Sequence, residues 1–176
     1  MDRFLEEVVT KHQRVLDEIM YYLALIVMLA SALGAMLFLQ LVFYAFSVPI
    51  LIIFLLLVGV AVYLFLFRDR LRMEYEYTFT NGTLDFAQVF NNKKRKNLGS
   101  LNCKTVDAFG KVSGQSFQRY ISMQGVKQRR WFLNRDAERY YFYFQKDSNK
   151  SIIVMEPSEE MVEYIRFYLP HGAYQE

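Results

Sequence analysis

Hydrophobic and polar positions divide the chain into a long apolar stretch and a region of alternation. Residues 20–67 contain no Asp, Glu, Lys or Arg. The hydrocarbon core of a bilayer is roughly 30 Å thick and needs about 20 apolar residues per helix, so this stretch is long enough for two crossings. Pro49 lacks a backbone N–H and suits the first turn of a helix, so it divides the stretch. The pattern predicts transmembrane helices over residues 20–46 and 48–67, joined as an antiparallel hairpin.

Basic residues at the ends of the hairpin predict its orientation. The turn between the helices is uncharged, whereas Lys11 and Arg14 precede the first helix and Arg68, Arg70 and Arg72 follow the second. The positive-inside rule therefore places both termini in the cytosol. We expect an integral membrane protein, in the cell membrane if the source is bacterial, with three arginines at the membrane junction.

Small residues inside the hairpin predict close packing of its helices. Ala30 and Gly34 in the first helix and Gly59 in the second let helix backbones approach each other. Packing within the hairpin is one interpretation, and a homo-oligomer formed through Ala30 and Gly34 is the other. The triplet Ala-Ser-Ala at residues 30–32 also resembles a signal-peptide cleavage site, but the apolar run continues past it without interruption.

The segment before the hairpin shows a weaker periodicity. Phe4, Val8, Val15 and Ile19 recur near helical spacing and predict an amphipathic helix over residues 1–19. This helix would extend the first transmembrane helix or pack on the soluble domain. A helix lying in the membrane interface is the alternative, although its polar face is not rich in Lys and Arg.

Beyond residue 72 the apolar run gives way to alternation, which predicts a β-rich soluble domain over residues 73–170. Residues 74–79 alternate polar with aromatic positions, and Asn81-Gly82 is the pair that a type I′ hairpin turn prefers. Further strands are predicted over residues 83–90, 98–103, 108–111, 119–123, 127–133, 138–146 and 151–155. A helix over about residues 158–169 follows, with Met161 and Ile165 on its apolar face.

Alternation in the strand of residues 138–146 also separates two aromatic pairs. We expect Phe142 and Phe144 to face the interior. Tyr141 and Tyr143 would then lie on the outer face or under the N-terminal helix.

This order of about seven short strands and one terminal amphipathic helix is similar to that of a pleckstrin-homology-like (PH-like) barrel. The segment YEYTFTNGTLDFAQVFNNKKRKNLGSLNCKTVDAFG resembles the opening of bacterial PH-like domains. The start MDRFLEEVVTKHQ, followed by a helical hairpin, resembles an uncharacterised family of small membrane proteins from anaerobic Firmicutes. The resemblance implies a membrane α-hairpin plus an α+β soluble domain, folded as a PH-like rolled β-barrel with a C-terminal capping helix.

One departure from the eukaryotic relatives limits what the resemblance implies. PH domains that bind phosphoinositides usually hold their basic ligand residues in the loop between strands one and two. That loop is only Asn81-Gly82 here, so their lipid pocket cannot be carried over.

The basic run Lys93-Lys94-Arg95-Lys96 is the most informative polar feature of the domain. A solvated loop between two strands is one interpretation. The other is contact with anionic lipid or a partner, because the second strand returns toward the bilayer and each basic residue there contributes about 1 kcal/mol. Lys127 and Arg129 alternate on a predicted strand and are expected to extend this basic face.

The sequence contains few residues that are placed for catalysis. His12 and His171 lie near opposite termini, and Cys103 has no neighbour that suggests a nucleophile and its base. The sequence shows neither a phosphate-cradling glycine loop nor metal-ligand spacing. We therefore expect no catalytic residues, no bound metal and no cofactor.

The net charge of the soluble domain limits the classes of partner that we expect. Residues 68–176 carry 18 Lys or Arg and 13 Asp or Glu, a net charge of only +5, without a motif for RNA or DNA, so nucleic acid is not expected. The first hypothesis is a non-enzymatic, membrane-tethered binding or scaffolding module with an unknown protein partner. A module that responds to anionic membrane lipids through residues 93–96 is the alternative, and an enzyme of unrecognised type is the third.

Overall fold

The computed structural model describes residues 2–146 and 149–175. It contains two compact units, one formed by residues 13–73 and the other by residues 1–12 together with 74–176. The hairpin is therefore inserted between an N-terminal segment and the rest of the unit to which that segment belongs.

The helical unit is the predicted hairpin. Helix α1 spans Val15–Tyr44, helix α2 spans Val48–Phe67 with Pro49 in its first turn, and a short 3₁₀ helix follows over Arg68–Arg72. Both long helices have the length and apolarity needed to cross a membrane. Helix α1 starts before the apolar run because Asp17 and Glu18 suit the positive N-terminal end of a helix dipole.

The predicted helix over residues 1–19 is wrong in its first half. Phe4–Val9 forms strand β1, which pairs antiparallel with strand β2, Met73–Thr80. The pairing runs from Phe4 opposite Thr80 to Val9 opposite Tyr75. In so short a segment, apolar residues near helical spacing do not exclude a strand, and the neighbouring β2 edge supplied the hydrogen bonds that decided the conformation.

The first sheet has the order β1-β2-β3-β4, with β3 at Thr83–Phe90 and β4 at Lys94–Asn102. Its central turn is the one predicted: Asn81 has φ 49° and Gly82 has φ 92°, the left-handed values that a type I′ turn requires. Strands β3 and β4 pair antiparallel, with a register shift between Phe86 and Ala87.

The second sheet has the order β6-β8-β7-β5-β9. Its strands are β5 at Ala108–Lys111, β6 at Lys127–Trp131, β7 at Tyr140–Lys146, β8 at Asn149–Met155 and β9 at Tyr174–Gln175. Strand β6 runs parallel to β8, and β9 runs parallel to β5, whereas the other pairs are antiparallel.

The strand predicted over residues 119–123 is wrong, because Gln115–Ile121 forms helix α3. Phe117 and Tyr120, three positions apart, lie on one face of this helix, and their rings contact Tyr141 and Tyr143 at centroid distances of 5.2 and 4.4 Å. The two tyrosines are thus covered by α3 and not by the N-terminal segment. Phe142 is fully buried, as expected, but Phe144 is only half-buried and lines a surface groove, so the expectation for Phe144 is wrong.

The last helix, α4, spans Glu159–Tyr168. Ser158 caps it, since its hydroxyl accepts the Met161 N–H at 3.2 Å. Met161 and Ile165 are fully buried, as predicted. The second unit is therefore β-rich, with two open sheets, two α-helices and a short 3₁₀ helix at Cys103–Thr105 in the part of the chain that is described.

Candidate functional site

The predicted basic loop is largely a strand. Asn91 and Asn92 adopt φ values of 49° and 51°, and Asn tolerates this left-handed region better than most residues, so the chain reverses before the basic run. Lys94, Arg95 and Lys96 then form the start of β4, whose ladder partner is β3.

The four basic residues of this run have different surroundings. Arg95 forms an ion pair with Glu76 on β2, whose side chain is only 8% exposed. Burial raises the pKa of Glu76, and the charge of Arg95 opposes that rise. Lys93, Lys94 and Lys96 are exposed, and no acidic partner contacts them among the described residues. Arg95 thus stabilises the sheet, whereas the three lysines are available to an external anion.

Lys127 and Arg129 lie on β6 at the edge of the second sheet, and both are exposed. The Arg129 guanidinium is 5.7 Å from the centroid of the Trp131 ring. Together with Lys146 these residues line a groove of about 300 Å³ that contains none of residues 93–96. The two basic segments expected to form one face therefore do not share this groove.

The membrane-junction arginines contact the ends of the hairpin helices. Arg72 forms an ion pair with Glu18, and its guanidinium lies 3.8 Å from the Tyr21 ring centroid. Arg70 lies 4.4 Å from the Phe67 ring centroid, and Arg68 donates to the Met28 sulfur at 3.1 Å. Contacts of this kind hold the 3₁₀ segment against the hairpin.

The small residues of the hairpin are not equivalent. A Cβ atom added to Gly34 would lie 3.2 Å from Cδ1 of Leu57, so Gly34 belongs to the contact between the helices. Ala30 is exposed, and nothing lies within 4 Å of the Cβ position of Gly59. The expected packing role of Gly59 within the hairpin is thus not seen, and a homo-oligomer formed through Ala30 and Gly34 stays a prediction.

A cleft beside α3 was missed by sequence reasoning. It has a volume of about 610 Å³ and an apolar floor that includes Phe117, Phe132 and Ile152. Its polar lining includes three arginines, namely Arg130, Arg135 and Arg139. We call this feature the arginine cleft. The sequence pattern predicted a strand over residues 119–123 in place of α3, which forms part of the cleft lining, so the cleft was not expected. The arginines themselves are visible in the sequence.

The segment that carries Arg135 is anchored by Asn134. The backbone N–H and Nδ2 of Asn134 each donate to the buried carboxylate of Glu156 at 2.8 Å. Nδ2 also donates to the carbonyl of Thr10 at 2.9 Å, and Oδ1 accepts the His12 N–H at 2.8 Å. Burial raises the pKa of Glu156, and the bonds from Asn134 oppose that rise. This network joins the N-terminal segment to the β-rich unit.

Reactive groups are few in the described part of the chain. No group of three His, Cys, Asp or Glu residues there is placed to hold a metal ion. Cys103 is fully buried, and burial raises the pKa of its thiol to about 12. Cys103 therefore stays protonated at neutral pH and lacks the thiolate that a nucleophile needs.

These features define the class of protein: a β-rich domain with a terminal amphipathic helix, carried by a chain with an apolar helical hairpin. The chain matches the family of the bacterial PH-like domain (DUF6106) over residues 1–175, and it belongs to that family. The resemblance to bacterial PH-like domains is thereby confirmed. No curated protein and no solved structure matches the chain.

Proposed function

We propose that this chain is a non-enzymatic, membrane-tethered module whose PH-like domain binds a protein partner and holds it at the membrane. One observation carries the proposal: the same chain contains an apolar hairpin and a PH-like domain. The surface of that domain includes a cleft lined by arginines. A fold alone does not define a function, so the proposal depends on these surfaces as well as on the family.

The proposed topology places the hairpin across the membrane and both of its flanks in the cytosol. Strand β1 precedes the hairpin and β2 follows it, yet β1 pairs with β2 along the whole length of β1. Because paired strands must lie on one side of a bilayer, this pairing supports an even number of crossings. The arginines at residues 68–72 support the cytosolic side.

We also take the two sheets as the two halves of a PH-like barrel with α4 over one end. The complete burial of Met161 and Ile165 supports this arrangement, because it requires a continuous apolar surface beneath the helix.

The test of partner binding is recovery of the full chain, with an affinity tag, from gently solubilised bacterial membranes. The control is an unrelated protein with a two-helix hairpin at matched abundance. We expect one or more proteins to be recovered in constant ratio to the chain and to be absent from the control. Recovery of the same proteins in both samples would contradict the proposed function.

A second candidate function is a response to anionic lipid, and the exposure of Lys93, Lys94 and Lys96 favours it. The full chain is required for the test, because a fragment starting at residue 73 would lack β1. In nanodiscs of phosphatidylglycerol, amine labelling of these three lysines should be slower than in nanodiscs of phosphatidylcholine. Salt should reduce the difference by screening. Lys104, also exposed, is the internal control, and equal labelling in both lipids would remove the support for this function.

A further inference from the structure

The arginine cleft combines an apolar floor with positive charge. Its residues include Phe117 and Ile121 from α3, Phe132, and Ile152 and Val154 from β8. Its volume of about 610 Å³ exceeds that of any single side chain and lies within the range of ligand sites. The floor therefore has room for an aromatic or branched apolar group from another molecule.

The positive charge of the cleft is not neutralised by the residues that line it. Arg130, Arg135 and Arg139 are among those residues, and none of the described residues that line the cleft is an Asp or Glu. The acidic residues of the adjacent segment have other partners: Asp136 is paired with His12 at 3.1 Å, and Glu138 is paired with Lys111. The segment thus directs its carboxylates elsewhere and leaves its two arginines at the cleft.

Arg139 carries a hydrogen-bond donor that lacks an acceptor. Its Nε is buried and has no hydrogen-bond partner among the described residues, while its guanidinium lies 5.1 Å from the Phe132 ring centroid. A buried donor without an acceptor is costly, more so when it is charged. Arg139 lines the cleft and is half-buried, so a carboxylate that enters the cleft can pair with its planar guanidinium.

Two further features favour recognition by this surface. Asn134 holds the start of the segment through its bonds to Glu156, Thr10 and His12, so little ordering is needed when a ligand binds. Arg130 projects from β6, and the hydrogen bond that it donates goes to its neighbour Gln128 at 3.3 Å. The cations are therefore held near fixed elements and remain accessible.

We propose that the arginine cleft binds an acidic segment of a partner protein, with one apolar side chain on the floor and flanking carboxylates on the arginines. This inference rests on the proposed function and names the chemistry of its partner. A protein segment fits better than a small molecule, because small ligands are usually enclosed over most of their surface, whereas Arg130 and Arg135 of this cleft are exposed. It fits better than a membrane surface, because the apolar group and the charges must enter one recess together.

The test uses the full chain in nanodiscs of phosphatidylcholine and a fluorescein-labelled peptide, Gly-Ser-Glu-Asp-Phe-Glu-Leu-Asp-Gly-Ser. Fluorescence anisotropy measures its binding. We expect Arg135→Glu and Arg139→Gln each to weaken binding at least tenfold. Arg119→Glu, on α3 but not part of the cleft lining, should change it less than twofold. Peptides with Gln and Asn for the acids, or Gly for Phe and Leu, should bind at least tenfold more weakly.

Several outcomes would overturn the inference. The first is absence of binding at about 1 mM peptide, which is the weak end of specific recognition. The second is equal binding by the neutral peptide, and the third is equal binding by the Arg135→Glu chain. Because Arg135 is exposed, its substitution should not unfold the domain, which Trp131 fluorescence verifies. Sedimentation with phosphatidylglycerol vesicles that depends on Arg135, without peptide binding, would assign the cleft to lipid and also overturn it.

Failure of the inference and failure of the proposed function are distinguished by repeating the partner recovery with the Arg135→Glu chain. Loss of the recovered protein supports the cleft as its site. Equal recovery by both chains overturns the cleft and keeps the proposed function. Absence of any specific protein with the unsubstituted chain contradicts the proposed function itself.

Discussion

Gly82 shows at the scale of one residue how a turn is tied to a distant helix. Its φ of 92° is a left-handed value that a residue with a Cβ adopts only with strain. In addition, an added Cβ would lie 2.7 Å from Cδ1 of Tyr168 on α4. Glycine is therefore needed here for two independent reasons, one of the backbone and one of packing.

We predict that Gly82→Ala lowers the free energy of unfolding of the β-rich unit by more than the about 1–3 kcal/mol expected for backbone strain alone. Gly125→Ala is the matched control, because Gly125 has φ 80° but nothing within 4 Å of its Cβ position. Urea unfolding followed by Trp131, the single tryptophan of the chain, measures both. Equal losses would show that Tyr168 moves aside at no cost.

Arg95 illustrates a residue whose role depends on a distant partner. In the sequence it is one of four consecutive cations, with nothing to separate it from its neighbours. In the fold it is two strands away from Glu76 and pairs with that nearly buried carboxylate. Its lysine neighbours have no such partner in the described residues, so the basic run divides into a structural residue and three available ones.

Among the elements, α4 is the one that sequence described best. Its capping serine, the acidic residues Glu159 and Glu160 in its first turn and its single apolar face are local signals, and none needs a tertiary partner to be recognised. Strand β1 and helix α3 are the opposite case. Both are short, and their conformations depend on what they pack against: β2 for the strand, and the tyrosines of β7 for the helix.

We predict that Ile165→Asp destabilises the β-rich unit by about 3–5 kcal/mol, because a charge would replace a fully buried aliphatic group. Phe167→Asp on the same helix is the control. Phe167 is 67% exposed and loses mainly its contact with Arg3, worth about 1 kcal/mol. Urea midpoints read from Trp131 fluorescence provide the comparison, and an unchanged midpoint for Ile165→Asp would contradict burial of this face.

The hairpin offers a second prediction for an element. Gly34→Leu should weaken the packing of α1 on α2, because the new side chain would meet Leu57, while Gly59→Leu should not. Titration of the detergent-solubilised chain with sodium dodecyl sulfate, followed by circular dichroism, measures the effect. We expect loss of helix packing at a lower detergent fraction for Gly34→Leu only, and the same midpoint for both variants would refute the contact.

For the whole molecule, the connection between its two units constrains topology. Residues 1–12 and 74–176 form one unit although the hairpin separates them in sequence. We predict that reporter fusions in the turn at Ser47 and at the C-terminus give opposite compartment signals, with the C-terminus cytosolic. If both fusions report the same side, the hairpin does not span the membrane as proposed.

The sequence by itself determined the apolar hairpin, the Asn81-Gly82 turn, most strands and α4, because uninterrupted apolarity, turn stereochemistry and helix capping are local properties. Only the tertiary structure decided that residues 4–9 complete a sheet, that α3 covers Tyr141 and Tyr143, and that the cations at positions 130, 135 and 139 share one cleft. A short segment has no strong preference until a neighbouring surface satisfies its backbone and buries its side chains. A cleft likewise exists only where such segments meet. The arginines that line it could be counted in the sequence, but their common position in the fold could not be predicted.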